Sequence, residues 1–87
     1  MKSKTYFDKY GVVYGVSYKY NDGWHSYVKA FCNYGKAVEW LNTEEYDFRT
    51  RVLCSKSEAE RLMRKYYYLE LSAKECVENA YFEARYE

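Results

Sequence analysis

A single turn signal constrains most of what this chain can become. Asn21-Asp22-Gly23 lies between two stretches rich in β-branched and aromatic residues. Residues 10–20 read Tyr-Gly-Val-Val-Tyr-Gly-Val-Ser-Tyr-Lys-Tyr, and 24–32 read Trp-His-Ser-Tyr-Val-Lys-Ala-Phe-Cys. Both alternate with a period of two, so both read as strands joined in a hairpin. Two registers compete. A two-residue Asp-Gly loop would pair Tyr18 with Tyr27 and Gly15 with Ala30. A three-residue loop would pair Tyr18 with Ser26, Val16 with Val28, Tyr14 with Ala30 and Val12 with Cys32. The second gathers Val12, Val16, Val28, Ala30 and Cys32 on one face, which a one-residue slip would scatter, so it is the register expected. It also suits a type I turn closed by Gly23 in the left-handed region.

Beyond the hairpin the pattern turns helical. Ala37, Val38, Trp40 and Leu41 recur at helical spacing over 34–45, and Asn33 can cap the start. Residues 47–54 alternate again, with Phe48, Thr50, Val52 and Cys54 on one face and Arg49 and Arg51 on the other. Ser55-Lys-Ser-Glu58 and Ser72-Ala-Lys-Glu75 are capping boxes. They open helices with stripes at Ala59, Leu62, Met63 and Tyr66, and at Ala73, Cys76, Val77, Ala80 and Tyr81. A weak repeat at an offset of 22 aligns Phe31-Cys32-Asn33 with Leu53-Cys54-Ser55. Two copies are too few for a solenoid. The third strand either adds beside the second or skips across to pair antiparallel with the first. The length and apolar inner face of the first strand favour it as the centre. The fold expected is α+β in the order ββαβαα: a hairpin-first, three-stranded sheet in two layers, with the helices on one face.

At 87 residues the chain is expected to be one domain, 1–87, with a modest core. Nothing in it is long and apolar enough to span a bilayer, and the N-terminus lacks the apolar run of a secretory signal. A net charge of +1 indicates neither a polycation nor a nucleic-acid mimic. Aromatics reach 22%, with thirteen tyrosines and no proline. Tyrosine is both core filler in a small domain and a residue enriched at interfaces. Cys32, Cys54 and Cys76 contain no Cys-x-x-Cys, and the lone His25 has no neighbouring ligand, so no metal is expected. An odd cysteine count without a leader fits free thiols in a reducing interior, and a cytoplasmic location in a host cell is expected. No phosphate loop, Gly-x-Ser-x-Gly or His-Glu-x-x-His occurs, and Glu44-Glu45 reads as a solvated helix end. Neither an enzyme nor a cofactor is expected. Tyr66-Tyr67-Tyr68 exceeds what one helical stripe can bury, so at least one ring must leave the core.

The second sheet face is where chemistry concentrates. Lys19, His25, Tyr27, Lys29, Phe31, Arg49 and Arg51 fall on it in the expected register, without an acid in the middle of any strand. If no helix covers that face, cations and rings converge on an open surface, which marks it as the expected partner-binding site. If the acidic last helix folds over it instead, the same residues become a second core. Lys19, Lys29 and Arg51 are expected to be exposed there, opposite buried Val12, Val16, Val28 and Ala30. An ordinary solvated sheet face is the plain alternative.

In size, aromatic content and lack of motifs the chain resembles the small proteins of phages and mobile elements, anti-CRISPR inhibitors among them. That resemblance implies a non-enzymatic protein-binding module that occludes the surface of a bacterial defence enzyme, so that the partner is a protein that processes nucleic acid. The alternative, read from the basic and aromatic face, is a module that binds single-stranded nucleic acid by stacking bases on exposed rings. The RNP motifs of such modules are absent.

Overall fold

The structure, a computed structural model, describes residues 2–19, 26–43, 49–66 and 72–86. Seven elements follow in order: α1 (Lys2–Tyr10), β1 (Val13–Tyr18), β2 (Tyr27–Phe31), α2 (Tyr34–Asn42), β3 (Thr50–Cys54), α3 (Lys56–Tyr66) and α4 (Ala73–Arg85). The strands form one antiparallel sheet in the order β2-β1-β3. The α+β class and the order ββαβαα from β1 onward agree with the sequence pattern, as does β1 at the centre. Val16 faces Val28 and Tyr14 faces Ala30, the register that collects the apolar side chains. The Asn21-Asp22-Gly23 loop itself, with Trp24, His25, Glu44, Glu45, Phe48, Tyr67 and Tyr68, lies outside the described residues.

One sheet face carries Val12, Tyr14, Val16, Ala30 and Cys54, all buried, with Val28 and Val52 half-buried beside them. Against it pack Ala59, Leu62 and Met63 of α3 and Ala73, Val77 and Ala80 of α4. The helix stripes read from the sequence are thus the faces buried. Three of those six helical residues are alanine, whose short side chains let the helix backbones approach the sheet closely. Tyr66, at the end of α3, stacks on Tyr18 with ring centroids 4.2 Å apart and 15° between planes. Ser26 Oγ donates to the Tyr66 carbonyl at 3.2 Å. The first ring of the Tyr66-Tyr67-Tyr68 run therefore packs against the sheet.

Three features differ from the sequence reading. An N-terminal helix, α1, precedes the hairpin. It ends at Gly11, whose φ of +74° lets its N–H return to the Phe7 carbonyl at 2.7 Å. Tyr6 of α1 packs against the core, while Phe7 lies 5.5 Å from the Tyr34 ring of α2, so α1 closes one end of the sheet. The second difference concerns caps. Asn33 and Ser55 cap α2 and α3 through Lys36 N–H and Glu58 N–H, as their positions predict. Ser72 makes no side-chain cap hydrogen bond, because its own backbone is already helical (φ −96°, ψ 0°) rather than extended. The third is that α2 crosses the second sheet face, which the sequence reading leaves open. Val13, Gly15 and Ser17, whose side chains point to that face, are all buried. A central strand buried along both faces needs cover on both.

Among the described residues no helix is long and apolar enough to cross a membrane, and no three His, Cys, Asp or Glu side chains come together as a metal site would require.

Candidate functional site

The covered face is organised by Trp40. α2 leaves β2, runs over β1 and delivers the chain to β3. Its indole lies directly on Gly15 in the middle of the central strand. A Cβ at position 15 would stand 2.6 Å from Trp40 Cζ3, so only glycine leaves room for the ring.

Around the indole gather four of the seven residues that the sequence singles out. Tyr27 meets it edge-on, 6.4 Å between centroids and 77° between planes. Phe31, two positions along the same strand and on the same face, lies 5.5 Å away at 48°. Arg51 of β3 sets its guanidinium 4.5 Å from the indole centroid, within cation–π range. Its Nη1 donates to the Trp40 carbonyl and its Nη2 to Tyr27 Oη at 3.4 Å. One arginine thus ties α2 to both outer strands. Arg49 adds a second guanidinium 5.8 Å from the Tyr27 ring.

Of the other three, Lys29 is exposed and lies over Phe31 at 5.9 Å. Lys19 is exposed at the end of β1, and His25 lies outside the described residues. Tyr27, Phe31, Arg49 and Arg51 are half-buried. Arg51 therefore departs from expectation: α2 covers it, and it holds the face together instead of standing free in water. The result is a surface of ring edges and aliphatic stems, with the exposed cations Lys19 and Lys29 at its margin. Trp40 is the residue that sequence reasoning missed at the site. Its signal was Gly15, since a glycine inside a strand marks a place where another group comes close.

Among the described residues, two groups in the core titrate away from their ordinary values through burial. The Cys54 thiol is pushed up from 9.0 to about 12, first by desolvation and then by the Glu58 carboxylate. The Tyr14 hydroxyl is raised from 10.0 to about 12, first by desolvation and then by Tyr6 and Tyr81. Both shifts favour the protonated form, the opposite of what activates a nucleophile. Cys32 is exposed and Cys76 half-buried, and neither is in a disulfide.

Compared with known proteins, the chain matches no family model, no curated protein and no solved structure.

Proposed function

We propose that this chain is a non-enzymatic protein-binding module that acts by occluding a partner's surface, a small inhibitor of a bacterial defence enzyme in the cytoplasm of a host cell. The observation that carries the binding reading is the ring-and-cation cluster of Tyr27, Phe31, Arg49 and Arg51 locked around Trp40. Tyr, Trp and Arg are the residues most enriched at binding hot spots. Here they are held by ring contacts and hydrogen bonds before any partner arrives, which lowers the entropy lost on docking. Exposed Lys19 and Lys29 bias the surface toward an acidic partner face. The choice of a defence enzyme rests on the resemblance in build to anti-CRISPR inhibitors.

The alternative, single-stranded nucleic acid, loses support from the cover over the sheet. Base stacking needs ring faces open to solvent, and the faces of Tyr27 and Phe31 are engaged with the indole and the cations.

The test uses the folded protein immobilised to capture a partner from bacterial lysate, beside Lys19→Glu and Arg49→Ala variants checked for unchanged unfolding midpoints. Loss of the captured enzyme with either variant supports the reading. Full capture by both folded variants overturns the assignment of the surface. Oligonucleotide binding that weakens steeply with salt overturns the protein-binding reading in favour of nucleic acid.

A further inference from the structure

We infer that a second copy of this chain docks along the outer edge of β2, across a two-fold axis running parallel to that strand. This goes beyond the binding proposal and shares Lys29 and Tyr27 with that surface.

The inference starts from a separation of charge across one side of the molecule. Within the sheet β2 is an edge strand. Below it lies α4; above it, on the opposite sheet face, stands exposed Lys29. The flank of α4 turned to this edge carries Cys76, Asn79 and Glu83, which line a groove of about 240 Å³ with Ser26, Tyr27 and Val28. Glu75 lies one further step around the helix and is exposed. Among the described residues Glu75 and Glu83 make no ion pair, whereas Glu58 and Glu60 of α3 are paired with Arg61 and Arg64. On this side a lysine thus stands above the sheet plane and Glu75 and Glu83 below it, neither in an ion pair among the described residues.

Two symmetric arrangements could join β2 edges, and charge separates them. A two-fold axis perpendicular to the sheet sets α4 beside α4 and Lys29 on the same face as its copy, like against like. An axis parallel to β2 turns the second copy over. Its α4 then lies above the first copy's sheet plane, beside Lys29, and the arrangement repeats reciprocally below. Heights along the strand also agree. Glu83 shares its groove with Val28, and Ala84 shares the next groove with Ala30 and Phe31, so Glu83 stands level with position 29. A rotation about an axis parallel to the strand preserves that level, so Lys29 of each copy meets Glu83 of the other. Lys19 and Arg49, just past β1 and just before β3, stay outside this contact.

Analytical ultracentrifugation of the purified protein at low and high ionic strength tests this. The expected species at low salt has twice the 10.6 kDa chain mass, shifting to the single-chain mass as salt screens the pairs. Lys29→Glu and Glu83→Lys should each give monomers, since each places like charges together twice. An equimolar mixture of the two variants should recover a dimer, because both contacts are then complementary. Circular dichroism establishes that each variant is folded. A wild-type monomer at low salt, dimers of either single variant, or monomers in the mixture would overturn the inference. These outcomes leave the partner-capture experiment untouched, because that experiment alters Lys19 and Arg49.

Discussion

Gly15 is the smallest residue at the site and the one on which its geometry turns. The space its missing side chain leaves is filled by Trp40, whose ring then orders Tyr27, Phe31 and Arg51. Gly15→Ala would put a methyl group 2.6 Å from Cζ3 and 2.9 Å from Cη2 of the indole, so the ring must move. Overpacking of this kind costs about 1–3 kcal/mol. We expect a lower urea midpoint with an altered near-ultraviolet tryptophan signal. An unchanged midpoint and signal would mean that Trp40 does not rest on the strand. The residue scale was also the most legible in the sequence. The alternation of Val12, Tyr14, Val16 and Val28, Ala30 specified a register because any slip would drive the apolar set into water. Asn33 and Ser55 specified helix starts because their side-chain acceptors satisfy amide groups that nothing else would.

At the scale of elements, legibility fell where a segment's neighbours decide its place. The stripe of Ala37, Val38, Trp40 and Leu41 says that α2 buries one side, but not against which sheet face. The topology does say so. β2 and β3 are parallel to each other and flank β1, so the chain between them is a crossover, and crossovers are right-handed in about 98% of cases. That rule sends α2 over one particular face, the one opposite α3 and α4. The α1 helix was written more faintly. Ser3, Tyr6, Phe7 and Tyr10 do recur at helical spacing, yet Tyr10 equally continues the alternation of the strand behind it. The ambiguity is resolved by Gly11, which ends the helix in the left-handed region. No atom beyond the adjoining residues lies within 4 Å of where a Cβ at Gly11 would be, so any penalty for a side chain there comes from the backbone alone. Gly11→Ala should lower stability by about 1–2 kcal/mol, and Gly11→Asn by less, because asparagine tolerates this conformation. Chemical denaturation of the pair checks it; equal stability of all three proteins would show that the left-handed turn is not required.

For the whole molecule, the sheet meets α3 and α4 at a core whose protons are held more tightly than in the unfolded chain. Cys54 and Tyr14 are cross-strand partners in that core, 8% and 2% exposed. In the unfolded state the Cys54 thiol gives up its proton near 9.0 and the Tyr14 hydroxyl near 10.0, while in the fold both hold on to about 12. Between those limits the unfolded chain binds fewer protons than the folded one, so stability falls as pH rises. The contribution is complete below pH 9 and is lost as pH climbs through the window to about 12. The expected result is a melting temperature that declines steadily above pH 9. Cys54→Ala should be less stable at neutral pH, since it leaves a small void, but its decline above pH 9 should be shallower. Tyr14→Phe should flatten the upper part of the same range, above about pH 10. Thermal unfolding followed by circular dichroism from pH 7 to 12 decides the matter. If both variants decline in parallel with the wild type, the loss comes from groups outside the core.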